Sequence, residues 1–338
     1  MKVQNKLSPS SIQSAFECHK KLLCWNTEKN QIVRINSSFG DSYRVDGIVL
    51  HAVLEKLFDA NKKSSTQDIR KEVINLYSQN GVNESLILLN QDRLYKTING
   101  VQNILSKITE HFSLSEFETI LKEYEYSKND EFTGIADILF RGSSKSVIVD
   151  YKSGNVLDYE GRVKDSFIIQ MMFYGFLELD EYISKEVQLY ILDTKGIVHE
   201  VDASTDEISN NLEKIRSKYN DFLEERYSEC LIDNCIHCYI PHNCDNYLKP
   251  SNIETLNSIS GKFVELIELG SKNKMYMKGL KKPYKDLDIC IYFDEPIFFS
   301  FNKNNLLTVN NLKFIRKNNG KLFFKADRFW NINLLGEN

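Results

Sequence analysis

Long apolar runs are missing from this 338-residue chain. No stretch approaches the roughly 18 consecutive apolar residues that a membrane helix needs, and Met1 to Leu7 lack the hydrophobic segment of a signal peptide. These gaps exclude a helical membrane protein and set the expectation of a cytoplasmic chain with no membrane partner. Proline and glycine are scarce too, at five and fifteen residues, which argues against extended linkers and low complexity. There is no internal repeat and no Walker A loop, so any ATP-driven work on a substrate would fall to a partner protein. Strong net charge is also absent, at -4 overall. That balance hides an asymmetry: residues 251–338 carry fourteen Lys and Arg against nine Asp and Glu, or +5, which leaves -9 for residues 1–250. A protein that holds a cation with carboxylates and a polyanion along a basic track needs both signs, so net charge does not exclude a nucleic-acid partner.

What is present fits a soluble globular protein, with 42% hydrophobic and 27% charged residues. The length exceeds one usual domain of about 100 to 200 residues, and two units are expected, residues 1–250 and 251–338. The seven cysteines are an odd number. Cys18 and Cys24 lie near the start, Cys230, Cys235, Cys238 and Cys244 crowd together, and Cys290 stands alone. In a chain of intracellular character this favours metal binding over a disulfide framework, with Cys24 and Cys290 as ordinary buried thiols.

Ser8-Pro9 opens a first helix that carries Cys18, and a second runs from about Asp41 to Ala60 with Leu50, Leu54, Leu57 and Phe58 as its buried stripe. Helical patterns fill residues 66–80 and 91–112. From Thr119 the period becomes that of strands: Ile120 to Ser127, Phe132 to Phe140 and Ser146 to Lys152 form an antiparallel meander. A helix at about Ser166 to Leu179 follows, with a core stripe of Ile168, Met172, Gly175, Phe176 and Leu179. Strands at Glu186 to Asp193 and Ile197 to Val201 and a helix from Thr205 to Tyr227 complete an α/β pattern. Residues 251–338 read as a small, mostly β accessory domain. It has a helical stretch near Ile253 to Leu269, then strands at Ile289 to Phe293, Ile297 to Phe301, Leu306 to Val309, Lys313 to Arg316 and Leu322 to Lys325.

Alternation in the meander puts Thr133, Ile135, Asp137 and Leu139 on one face, and Ile148, Asp150 and Lys152 on another. If the faces coincide, two carboxylates and a lysine converge. Such a set binds Mg²⁺ or Mn²⁺, which polarises a scissile phosphate while the lysine steadies the attacking water or the developing charge. Asp-any-Lys occurs on the order of once by chance in such a chain, and a second copy exists at Asp193-Thr194-Lys195. Only the first copy has Gly134-Ile135-Ala136-Asp137 one hairpin upstream, so Asp193 and Lys195 are read as turn residues. His51 lies beside the stripe of its helix with Glu55 one turn later, and Gln170 and Tyr174 share a face of the helix after the meander.

Taken in order, Leu7 to Ser11 leading to Cys18, Gly47 to His51, Gly134 to Asp137, Asp150-Tyr151-Lys152 and Gln170 to Tyr174 resemble the RecB-like nucleases of the PD-(D/E)XK superfamily. The resemblance covers about residues 7–245 and is nearest to the members with an iron-sulfur cluster, such as the AddB nuclease domain and the small nuclease of CRISPR adaptation. It implies a restriction-endonuclease-like mixed sheet flanked by helices. It also implies His51, Asp137, Asp150 and the Tyr151 carbonyl as metal ligands, Lys152 as the catalytic lysine, and Gln170 with Tyr174 beside the bound strand. A further family glutamate falls on Glu123 or Glu125, and the sequence does not choose between them. Cys235, Cys238 and Cys244 with Cys18 match the four thiolates of a 4Fe-4S cluster, although His19 stands where the family often has proline. The interleaved His237 and His242 keep Zn²⁺ open as the alternative at that site.

The reading that follows is a DNA exonuclease or end-processing nuclease acting on single strands or duplex ends, with a helicase or nuclease-complex subunit as a possible partner. Repair, CRISPR adaptation and antiviral defence all use such domains. Two rivals of other classes are a non-catalytic DNA-binding or assembly subunit, against which the intact Asp137, Asp150 and Lys152 argue, and a zinc-stabilised scaffold. For residues 251–338 three readings stay open. The lysines Lys272, Lys274, Lys278, Lys281, Lys282 and Lys285 could track phosphates, with Tyr292, Phe293, Phe298, Phe299, Phe323, Phe324, Phe329 and Trp330 stacking bases; the aromatics could equally be core and the lysines a solvated face; or the region docks a partner protein.

Overall fold

The computed structural model describes residues 8–9, 12, 33–36, 38–59, 63–80, 91–126, 132–182, 186–204, 206–211, 213–214, 217, 258–270, 272–280, 284–295, 297, 299 and 301–335. The chain divides into two units, residues 1–13 with 44–220 and residues 14–43 with 221–338. In chain order, strand β1 (Val33–Asn36) precedes helices α1 (Ser38–Leu57), α2 (Thr66–Gln79) and α3 (Gln91–His111). Strands β2 (Thr119–Tyr126), β3 (Gly134–Arg141) and β4 (Lys145–Lys152) follow, then helix α4 (Asp165–Glu181), β5 (Glu186–Asp193) and β6 (Val198–Val201).

In the first unit the sheet order is β2-β3-β4-β5-β6. The three meander strands are antiparallel, α4 is the crossover to the parallel strand β5, and β6 returns antiparallel. Central β4 is buried along six consecutive residues, as a strand covered on both faces must be. Val147, Val149 and Tyr151 meet Val49, Val53, Ile98, Val101 and Ile104 from α1 and α3. Ser146, Asp150 and Lys152 have the opposite parity and meet α4. On α1, Leu50 and Leu54 are buried as the spacing predicts and Leu57 is half-buried, and Phe58, one residue past the helix end, is buried too. A polar clasp joins the three helices: Tyr77 Oη and Arg93 Nε both donate to Asp46 Oδ1 at 2.6 Å. Ser65 and Asp68 form a capping box that fixes the start of α2.

Helix α4 buries Met171, Phe173, Tyr174, Gly175, Leu177 and Glu178. Of the expected stripe only Gly175 is among them; Ile168, Met172, Phe176 and Leu179 are half-buried. The reason is Glu178, a fully buried carboxylate that takes two bonds from Arg141 (2.8 and 2.7 Å), one from Ser146 Oγ (2.8 Å) and one from Tyr126 Oη (3.1 Å). That anchor turns an arc through 171, 174, 175 and 178 toward the sheet. Arg141 also lies over the rings of Tyr124 and Tyr182, 4.7 and 4.8 Å from their centroids. Close approach of the helix to β3 depends on Gly134, where an added Cβ would sit 3.1 Å from Tyr174 and Leu177.

The second unit contains β7 (Ser258–Leu269), β8 (Lys272–Gly279), β9 (Asp288–Phe293), β10 (Leu306–Asn318) and β11 (Lys321–Leu335). The sheet order is β1-β11-β10-β7-β8-β9, and β9 also pairs parallel with β11. That extra pairing closes β7-β8-β9-β11-β10 into a five-stranded barrel, with β1 added beside the far half of β11. Bulges at Asn310/Leu312 and Phe314/Arg316 let β10 bend around the barrel. The core holds Phe263, Met275, Met277, Ile291, Phe293, Phe324 and Trp330.

Three expectations for this region are corrected. The helix near Ile253 to Leu269 is a strand from Ser258 onward, because both of its edges are taken by β8 and β10. The strand at Ile297 to Phe301 is irregular at its described residues 297, 299 and 301, whose apolar side chains pack onto the barrel core. The separate strands at 306–309 and 313–316 are one strand joined to β11 by Asn319-Gly320, both at positive φ (48° and 76°). Asn-Gly in that conformation is the signal of a two-residue hairpin turn.

Candidate active site

The register of the meander builds the site. Leu139 lies across from Ile148 and Ile138 from Val149, so one step further sets Asp137 beside Asp150 on the same face. Between β2 and β3, Lys122 pairs with Ile138 and Tyr124 with Ala136, which leaves Glu123 across from Asp137. Glu123 has φ +44°, a left-handed backbone in mid-strand that costs of order 1–3 kcal/mol and persists only where its surroundings hold it. From α1, His51 Nδ1 lies 3.1 Å from Asp137 Oδ1, and the Tyr151 amide donates to Asp137 Oδ2 at 2.6 Å.

On the other side, Lys152 Nζ lies 2.5 Å from Asp150 Oδ2 and donates to Gln170 Oε1 at 2.9 Å. Gln170 Nε2 donates to Asp150 Oδ1 at 3.2 Å and to Tyr174 Oη at 3.1 Å. The ammonium also sits 5.0 Å from the centroid of the Phe167 ring. The structure thus brings His51, Asp137, Asp150, Lys152, Gln170 and Tyr174 together. Glu55 is exposed on α1. Asp193 neighbours Lys152 across β4 and β5, but its carboxylate is engaged by its own turn and by β6: Oδ1 accepts from the amides of Lys195 and Ile197, and Oδ2 lies 3.4 Å from His199 Nε2.

One side chain of the site is undecided from the sequence and another is absent from its candidates. Glu123 was open against Glu125, and only hairpin register separates them: Glu123 faces Asp137, whereas Glu125 pairs with Ile135 and is exposed. Phe167 carried no signal beyond its helical position. The cysteines Cys18, Cys24, Cys230, Cys235, Cys238 and Cys244 lie outside the described residues, and Cys290 is a buried free thiol.

Electrostatically the site is short of positive charge. Burial and the neighbouring Asp137 carboxylate raise Glu123 to about 7. The same two causes, burial first, push Asp150 up. For His51 burial opposes protonation, but the bond to Asp137 and the charges of Asp137 and Asp150 outweigh it and hold the ring's pKa above the usual value. His51, Glu123 and Asp137 each offer a ligand atom, all within 4.8 Å of one another. Apart from the Lys152 ammonium, the buried Asp150 Oδ2 has no hydrogen-bond partner. Imidazole plus hard carboxylate oxygens, with a buried Asp150 oxygen answered only by Lys152, fit a divalent cation of the Mg²⁺ or Mn²⁺ kind.

No curated protein matches the chain. Among solved structures, a "putative exonuclease" from Eubacterium rectale is similar at 11% identity and TM-score 0.41, over 65% of this chain and 81% of that one. SSO0001 is similar at 15% identity and TM-score 0.30, over 60% and 96%. The OB domain of Ta0387 from Thermoplasma acidophilum is similar at 12% identity and TM-score 0.19, over 27% and 86%. The family model of the PD-(D/E)XK nuclease superfamily matches residues 6–245, most of the chain and all of the site, and the protein belongs to that superfamily.

Proposed function

We propose that the protein is a divalent-metal-dependent DNA nuclease, an exonuclease or end-processing enzyme acting on single strands or duplex ends. The observation that carries this reading is the convergence of Asp137, Asp150 and Lys152 with His51 and Glu123 on adjoining strands and one helix. His51, Glu123, Asp137, Asp150 and the Tyr151 carbonyl would hold the cation. When bound, Mg²⁺ or Mn²⁺ supplies a Lewis acid for the phosphate and lowers the pKa of the attacking water.

The chain's own residues do the rest. Tyr151 N–H fixes the Asp137 carboxylate, and Asp137 in turn orients His51. Gln170 bridges Asp150 and Lys152, so the ammonium is aimed before substrate arrives and steadies charge that develops on the phosphate. Tyr174 accepts from Gln170, and in this reading the pair would stand beside the scissile strand.

The test is cleavage of end-labelled single- and double-stranded DNA with Mg²⁺ or Mn²⁺, against the same reaction in chelator. Release of labelled product only with metal is the expected result, and failure on all substrates and metals refutes the reading. Glu123→Gln should then lower the rate by roughly tenfold to a hundredfold and raise the metal concentration needed. Exposed Glu125→Gln should leave both unchanged, and a reversed outcome would move the ligand to Glu125.

The Cys235, Cys238 and Cys244 spacing, with Cys18, supports a 4Fe-4S cluster of the RecB-like type as part of the same proposal. Anaerobically purified protein should be brown and contain iron and acid-labile sulfide, and Cys235→Ser should lose the colour. Stoichiometric zinc without iron after reconstitution would refute the cluster.

A further inference from the structure

The barrel of the second unit turns a basic, aromatic face to solvent. Along β8, Asn273, Met275 and Met277 point inward and are buried, so Lys272, Lys274, Tyr276 and Lys278 point outward. On β9 the barrel interior takes Ile289, Ile291 and Phe293, which gives Cys290 and Tyr292 the outward parity, with Tyr292 half-buried and Cys290 covered by its neighbours. Register joins these rows: Tyr276 pairs with Cys290 and Lys274 with Tyr292, while Cys290 also lies across from Phe323 of β11. Arg316 of β10 pairs with Phe323. Four strands therefore share one outer face, whose three rings are all half-buried and reachable.

Cations are set on those rings. Lys274 Nζ lies 5.3 Å from the Tyr292 centroid, Arg316 5.2 Å from Phe323 and Lys321 4.9 Å from Tyr276. Among the described residues none of these three is in an ion pair with a carboxylate. The carboxylates Asp288 and Asp294 are engaged by Lys278, Lys272 and Lys325 at 3.2, 3.8 and 2.7 Å. The rings of Tyr292 and Phe323 are nearly parallel, 20° apart with centroids at 6.2 Å. Cys290, on the same strand as Tyr292 and across from Phe323, is fully buried.

Half-buried rings with cations set over them, those cations holding no carboxylate among the described residues, suit a flexible polyanion with stacking bases; a protein partner's anchor would ask for a well-packed, desolvated pocket instead. We propose that the outer face of β8, β9 and β11, centred on Tyr276, Tyr292 and Phe323 with Lys274, Arg316 and Lys321, binds single-stranded nucleic acid by base stacking and phosphate contacts. The inference deepens the nuclease reading by giving the substrate strand a second holding surface, but its binding chemistry stands without that reading.

The test uses the full chain carrying Asp150→Asn, so that bound DNA is not cut, and measures the anisotropy of a fluorescent oligothymidylate of about 15 nucleotides against salt concentration. Tyr276→Ala and Phe323→Ala should each weaken binding by about tenfold. The double change Lys274→Gln with Lys321→Gln, on the surface and harmless to the core, should flatten the slope of log affinity against log salt by about 1.4, or roughly 0.7 per lost phosphate contact. Affinity and slope unchanged within twofold in variants that keep the parent's melting temperature would overturn the proposal and leave the face to a protein partner. If an aromatic variant misfolds, the lysine pair alone decides. Because binding is read without turnover, absence of cleavage by the unmutated chain would refute the nuclease reading and leave this result standing.

Discussion

Asp150→Asn should reduce DNA cleavage by about three orders of magnitude while the protein stays folded. The side chain is 2% exposed, and its Oδ2 has only the Lys152 ammonium, at 2.5 Å, to answer its charge. Asparagine keeps the shape and can still meet Gln170, so packing changes little. What is lost is a negative oxygen for the cation and the partner that aims Lys152. Burial and Asp137 already oppose the charge on Asp150, so neutralising it relieves repulsion, while Lys152 loses its partner. These two effects offset, and the melting temperature should move by only a few degrees. Asp193→Asn is the matched control: an amide oxygen can still accept from Lys195 and Ile197, and cleavage should persist. Equal loss in the two variants would transfer the chemistry to the second Asp-any-Lys copy.

Glu178→Ala should cost the first unit about 3–5 kcal/mol, the range for breaking a buried ion pair by removing one partner. Arg141 would keep its two aromatic neighbours but lose both carboxylate bonds, and the hydroxyls of Ser146 and Tyr126 would each lose their acceptor. For a unit of this size that corresponds to a fall in melting temperature of about 10 °C. Glu178→Gln retains an acceptor and should fall less. Replacing both partners, as in Glu178→Leu with Arg141→Met, should recover much of the loss, because no buried charge is then left alone. Urea titration of the four proteins decides. A loss under about 1 kcal/mol for Glu178→Ala would show that the network does not hold α4 to the sheet.

The parts of the site that were legible in the sequence lie on regular strands and helices. Period-two alternation is enough to align Asp150 with Lys152 and to place Asp137 one hairpin away. Glu123 was not legible in that way, because choosing it over Glu125 needs the pairing of Tyr126 with Gly134, and turn length is not written in side-chain periodicity. Glu178 was missed for another reason: a charged residue in a helix reads as solvated until the tertiary structure supplies Arg141. In the barrel, Tyr292-Phe293 and Phe323-Phe324 are adjacent pairs whose members must point opposite ways, yet only closure of the sheet decides which is inside. The outcome divides the aromatic list: Phe293, Phe324 and Trp330 are core, and Tyr292 and Phe323 are surface. Tyr276, in a segment read for its lysines alone, completes the outward set. The false helix over Ile253 to Leu269 arose because apolar residues at 263 and 266 also satisfy a helical period, and nothing local outweighs that coincidence.

The pairing of β1 with β11, in which Val33 meets Leu334, also bears on the order of events at the ribosome. Chains emerge from the N-terminus at about 5–20 residues per second, so β1 is exposed while roughly 300 further residues are made before its partner strand exists. All strands of the first unit's sheet appear in that interval, between Thr119 and Val201, and that sheet has the components to form during synthesis. The second unit has to wait for its last strand, and its early segment must stay unpaired until then.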